Sequence, residues 1–365
     1  MSDDALQAWL REMPGASHPF ATSPERLYSP ADLYRGFDPD QPGTMAQGFD
    51  TQVARWLTHG DIAPRKLSIA ETIAARLHDT AIDRLVAALV LEHRPSVAMM
   101  GSHSIGRDHP AYLQFALIAR ELRRRGFLVI SGGGPGLMEA ANFGAFLAPC
   151  ADEVLTESLE ILAQAPAYEQ GEPWAAAAAE ARTLVLRRMP GGDPDADWTS
   201  APPPAACSLG LPTWYYSKEW PNLFASHIGK YFFNSLREDG LVSVATAGIV
   251  FGMGEAGTVQ EVFQNASLNY YRQDGRAPTP MVFFGRDYWS SAPIAAPSAD
   301  RTVEELAKPV LPLIRAMALE SGAPFTGAVQ AYDSVHEIVE AIVRADCEAA
   351  GPGCIAETRL AAVEP

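Results

Sequence analysis

From Ser96 to about Arg344, short apolar runs alternate with longer stretches of helical periodicity. Val97-Ala98-Met99-Met100 reads as a buried strand that ends in a loop over 101–106. A helix is predicted over 112–125; its basic end, Arg123-Arg124-Arg125, suits the carboxyl end of the helix dipole, and Gly126 closes it. A strand over 127–130 and a helix over 137–146 follow. Two helices fill 151–189, and the Pro- and Gly-rich stretch 190–205 predicts an exposed loop. The remaining pattern predicts strands over 207–211, 247–251, 281–284 and 329–332. Helices are predicted over 223–236, 259–271, 310–321 and 336–344. Strands that alternate with helices predict an α/β fold, a doubly wound parallel sheet covered on both faces.

Upstream the pattern is weaker. Residues 1–65 are rich in Pro, Gly, Asp and aromatics, and predict an irregular segment with one short helix near 5–12. Leu67, Ile69, Ile73, Leu77, Ile82, Leu85 and Leu89 fall near helical spacing and read as two helices broken around Asp79-Thr80. Their apolar face needs a partner surface, so 66–92 is expected to pack on the sheet domain. The chain therefore divides into an N-terminal helical extension (1–95), a sheet domain (96–345) with a helical insert at 151–205, and a tail (346–365).

Composition narrows the function. With 365 residues, 47% of them hydrophobic, the chain can bury a large core. The apolar runs are too short to predict a membrane span, and the acidic start Met1-Ser2-Asp3-Asp4 is unlike a secretory signal. The cysteines, Cys150, Cys207, Cys347 and Cys354, form no CxxC pair and read as reduced thiols of a cytoplasmic protein, with no metal site. A formal net charge of −16 and the lack of a basic run argue against nucleic acid. That field also repels a phosphate ester, so any phosphate site must be built locally from backbone N–H groups at helix N-termini.

Two Gly-rich strand-to-helix turns supply such places. In Ser131-Gly132-Gly133-Gly134-Pro135-Gly136 the glycines let an anion approach the backbone, and Pro135 suits the start of a helix. The amides of Gly136, Leu137 and Met138 are then candidates to face a phosphate. The same residues also make an ordinary tight turn, and GxGxxG is met only loosely. In the second turn, Gly254-Glu255-Ala256-Gly257-Thr258, the run Thr258-Val259-Gln260-Glu261 has the form of a capping box, with Thr258 as N-cap and Glu261 as third residue. Both turns fall at the carboxyl ends of strands, where open α/β sheets bind ligands.

The pair, Ser131 through Gly144 and Gly254 through Glu261, resembles the GGGxxGLM and PGGxGTxxE motifs of the LOG family, a superfamily often labelled "possible lysine decarboxylase". The resemblance covers about residues 95–345, and the insert is similar to that of the large bacterial members. It implies a Rossmann-like fold, a homodimer, no cofactor, and hydrolysis of a nucleoside 5′-monophosphate to base and ribose 5-phosphate. It makes Glu261 the catalytic carboxylate, with Lys230 the retained cation. It places Ser102, Gly133, Gly134, Gly136, Leu137, Met138, Glu139, Gly254, Gly257 and Thr258 in the substrate site.

Two departures bear on this. Met253-Gly254-Glu255 stands where the family has Pro-Gly-Gly, and Gly229 stands before Lys230 where an arginine is expected. Arg237, Arg187 and Arg188 are candidates to replace that arginine. Trp214, Tyr215, Tyr216 and Trp220 form an aromatic group able to stack on a base or to pack a core. The apolar helix expected over 223–236, with Phe224, Ile228, Tyr231 and Phe232, offers a surface for the dimer. The rival reading is a carrier that binds a phosphorylated ligand without turning it over. His227-x-x-Lys230 is a poor setting for a pyridoxal Schiff base.

Overall fold

The computed structural model describes residues 18–59, 64–216, 219–272, 275, 277–290 and 307–350. The helix expected near 5–12 and the last fifteen residues of the tail lie outside them. The first labelled elements are α1 (Phe49–Thr58), α2 (Ile69–Glu92), β1 (Ser96–Met100), α3 (Pro110–Arg124), β2 (Leu128–Ser131) and α4 (Leu137–Phe146). The insert supplies α5 (Asp152–Leu162) and α6 (Glu172–Arg188). Then follow β3 (Ser208–Gly210), β4 (His227–Ile228), α7 (Asn234–Ser243), β5 (Gly248–Phe251) and α8 (Ala256–Tyr270). The chain continues with β6 (Met281–Phe284), α9 (Leu311–Glu320), β7 (Val329–Tyr332) and α10 (Val335–Ala350).

The strands form one parallel sheet in the order β4-β3-β2-β1-β5-β6-β7. The order reverses at β1, which pairs with β2 on one side and β5 on the other, giving the Rossmann-like doubly wound topology and its switch point. The apolar runs of β1, β2, β5 and β6 are wholly buried, as strands covered on both faces must be. One face packs against α3, α4 and α10 through Phe115, Phe143, Phe146 and Ile342. The other packs against α2, α7, α8 and α9 through Ile82, Val86, Leu241, Val262 and Ile314. Gly144 lets α4 lie against α3, where a Cβ would collide with the Ala116 carbonyl.

Four expectations need correction here. The helix over 69–92 is continuous, started by a Ser68–Glu71 capping box. Asp79 does not break it: its buried carboxylate accepts the backbone N–H groups of Phe232 and Phe233 across the fold. This helix is the apolar cover of one sheet face, as its pattern required.

The helix expected over 223–236 is absent. Asn222 Oδ1 accepts from the amides of Phe224 and Ala225, turning the chain into β4, and helix resumes only at Asn234. The apolar run is buried on all sides within one chain: Phe224, Ile228 and Tyr231 are 0% exposed. These side chains are spent in the core of the single chain. Tyr28 pairs with Ile228 across the free edge of β4, covering it.

Cys347 is disulfide-bonded, so the four cysteines are not all free thiols, whereas Cys150 and Cys207 are free and buried. The final helix runs to Ala350, past the expected end at 344. No helix among the described residues is long and apolar enough to cross a membrane.

Candidate functional site

The turns after β1, β2 and β5 meet at the switch point. Ser131 Oγ accepts the Gly133 amide and bonds Asn142 Oδ1, while Asn222 Nδ2 binds both the Gly134 carbonyl and Asn142. The first Gly-rich turn is thus stapled from behind by side chains 80 and more residues apart. Gly136 has φ +67°, and a Cβ there would run into the Ser102 carbonyl. That close approach exists because the Leu137 amide donates to Ser102 O at 2.9 Å. The Leu137 amide therefore joins two loops and is not available for a phosphate.

The second turn also differs from expectation. Helix α8 starts at Ala256, so Glu255 is its N-cap residue, Thr258 is its third residue, and the capping box does not form. Thr258 instead lies against Gly254, at a spot any side chain on Gly254 would need. Tyr288 Oη holds Gly254 by donating to its carbonyl at 2.6 Å. With the helix advanced, Glu261 sits in its second turn, inside the protein and not at a helix mouth.

Between the turns lies a cavity of about 530 Å³, a size typical of small-molecule sites. Of the expected residues, Ser102, Met138, Gly257, Thr258 and Glu261 line it. Gly133, Gly134, Gly136, Leu137 and Gly254 do not; they shape the backbone behind it.

Two candidates lie elsewhere. Glu139 is fully buried in a two-pronged ion pair with Arg107, at 2.7 and 2.8 Å, and accepts from Tyr112 Oη. Arg107 also binds the carbonyls of Ala165 and Trp174, so this pair ties the insert to the sheet domain and is not a substrate contact. Lys230 is 1% exposed; its Nζ lies 2.7 Å from Asp50 and donates to the Glu219 carbonyl at 2.8 Å. It supports the chain around Glu219 and does not reach the cavity.

Among the described residues, the cation lining the cavity is Arg237, on α7. Its Nε donates to the Leu211 carbonyl at 2.9 Å, Nη1 lies 3.8 Å from Glu261, and Nη2 lies 4.0 Å from Glu219. A side chain at 229 would be crowded: a Cβ there would stand 3.0 Å from Ile82 and Leu211 and 3.1 Å from Val86. Arg187 and Arg188 are occupied with Ala196 and Glu157.

Burial pushes the Glu261 carboxyl up to about 7; Arg237 opposes this, and Glu238 and Glu219 reinforce it. The carboxylate is therefore not held ionised by the helix dipole, as its expected place in the first turn implied. Burial also raises Glu219, against Arg237, Lys230 and His103, and one of its oxygens, Oε2, is buried with no hydrogen-bond partner among the described residues. Glu238 is held by Asn234 and Gln260. Glu255 is half-exposed at the start of α8, accepts from Ser104 Oγ at 2.9 Å and lies 3.8 Å from His103.

Of the aromatic group, only Tyr216 lines the cavity, and Tyr168 of the insert joins it. Trp214 is buried and donates to Asp50, and Trp220 packs edge-on against Tyr168. Sequence reading missed Glu219, Glu238 and Tyr168. Glu219 lies in an irregular stretch and Tyr168 opens a short 3-10 turn, and nothing local marks any of the three.

Comparison with protein-family models and with curated proteins finds no match.

Proposed function

We propose that this protein hydrolyses the N-glycosidic bond of a nucleoside 5′-monophosphate, releasing the base and ribose 5-phosphate. The observation that carries this reading is Glu261: a buried carboxyl in the switch-point cavity, beside Arg237, with its pKa near neutrality. Breaking the bond builds positive charge at C1′ of the ribose. An ionised Glu261 stabilises that charge and accepts a proton from the attacking water, the work of a general base whose pKa lies near the operating pH. Arg237 keeps Glu261 ionisable in a buried place and has N–H groups beyond the one given to Leu211.

The 5′-phosphate is assigned to the start of α8, where Gly257 has open space around it and Thr258 and Ser102 supply hydroxyls. Fixing the phosphate there positions the bond through remote binding energy.

The carrier reading keeps one supporting observation, the Glu255 carboxylate beside the proposed phosphate. Its other support, a missing arginine, is answered by Arg237. Incubation with a panel of nucleoside 5′-monophosphates separates the two readings. Release of free base supports the hydrolase; a rise in melting temperature with no base released supports the carrier.

A further inference from the structure

The departing base needs a proton as well as a broken bond, and Glu261 does not serve both ends of the substrate. Glu219 lies across Arg237 from Glu261, 4.0 Å from Nη2, and lines the same cavity beside Tyr168 and Tyr216. Those rings make its end of the cavity the one suited to a flat base. The sugar–phosphate end, with Thr258 and Gly257, belongs to Glu261. Room for the Glu219 carboxyl is left by Gly134, where a Cβ would stand 2.9 Å from Oε1. Its backbone is fixed by the bonds from Lys230 Nζ to its carbonyl and from its amide to Tyr216 O. A group so placed, with Oε2 buried and without a hydrogen-bond partner among the described residues, is costly to the protein alone.

We propose that Glu219 is a second catalytic residue, the acid that hands a proton to the departing base; this rests on the hydrolase reading above. In the step, the C1′–N bond breaks and its electron pair goes to the base, whose nitrogen takes the Glu219 proton. Water forms the new bond to C1′ and gives a proton to the Glu261 carboxylate. Passage of that proton back to Glu219 resets the site, so one water is consumed and no other reactant is needed.

Charge counting favours this placement. Among the described residues lining the cavity, Glu219, Glu238, Glu255 and Glu261 face one guanidinium, that of Arg237. Burial disfavours the charged form of both Glu219 and Glu261, which favours a proton held on one of the two. Positive charge growing at C1′ draws the nearer carboxyl, Glu261, into its ionised form, which leaves the proton at the base end.

The test compares two leaving groups on Glu219→Gln. One substrate is a purine nucleoside 5′-monophosphate, whose base needs protonation. The other is 4-nitrophenyl riboside 5′-phosphate, whose phenolate departs without a proton. We expect purine release to fall about 100-fold or more and nitrophenolate release to change less than about fivefold, since general acid catalysis supplies factors of this size. Glu219→Asp, which keeps the acid, should recover part of the purine rate and serves as the readout if the Gln variant melts early. Equal losses on both substrates would mean a structural role and overturn the proposal, as would an unchanged purine rate. If the unsubstituted protein releases neither base nor nitrophenolate, the hydrolase reading fails and Glu219 loses its role with it.

Discussion

The Arg237 guanidinium stands 3.8 Å from the Glu261 carboxylate, near enough to stabilise its charge and too far for a hydrogen bond. Burial outweighs that attraction, which is why Glu261 titrates near 7 and not below its ordinary value.

Glu261→Gln keeps the shape and removes the charge. Base release should fall by about 2–4 kcal/mol in the barrier, the size of one lost electrostatic stabiliser. Stability should move the other way. Because the folded pKa is raised to about 7, the contribution of Glu261 is fully present below its unfolded value and is lost as pH rises through 7. The variant should therefore melt higher than the parent at pH 8, by roughly 1–3 kcal/mol, and equal to it near pH 4. Parallel melting curves at both pH values would contradict the assignment.

The rate should rise with pH through about 7 in the unsubstituted protein, since the base must be deprotonated, and fall again at higher pH once Glu219 has lost the proton it gives to the base. Arg237→Gln removes the opposing cation and should move that rise to higher pH while lowering its plateau. A pH profile of kcat/KM that stays in place in this variant would show that Glu261 does not control the rate.

Glu255→Gly takes a carboxylate away from the start of α8. KM for a nucleoside 5′-monophosphate should fall by roughly 3- to 10-fold, while KM for the unphosphorylated nucleoside should hold, because only the phosphate meets that charge. Equal changes in both would place the phosphate elsewhere.

Lys230→Met and Glu139→Gln should act on stability. The first leaves Asp50 without its cation and the second leaves Arg107 without its carboxylate, each in a buried place. A loss of about 3–5 kcal/mol in urea unfolding is expected for each. Glu139→Gln should leave the pH profile in place, since its side chain does not reach the cavity.

The sequence by itself determined the alternation of strands and helices, the bounds of β7 and α4, the exposed loop over 190–205, and the two turns at the strand ends. These are local properties. An apolar run of four, a glycine after a basic helix end, or a proline at a helix start acts within a few residues, so the pattern carries it. What the tertiary structure decided was which polar groups meet. Lys230 and Glu139 look like site residues in the chain, but Asp50 and Arg107, far away in sequence, claim them. Glu219 and Tyr168 carry no local signal, and they enter the cavity only because the connection after β3 and the insert fold over the switch point. The run over 223–236 reads as a helix because apolar residues fall at helical spacing, yet Asn222 and the surrounding core turn it into strand and loop. Burial also set the titration of Glu261: a helix start would have kept it charged, and the interior moved its pKa up to about 7 because desolvation outweighs one guanidinium 3.8 Å away.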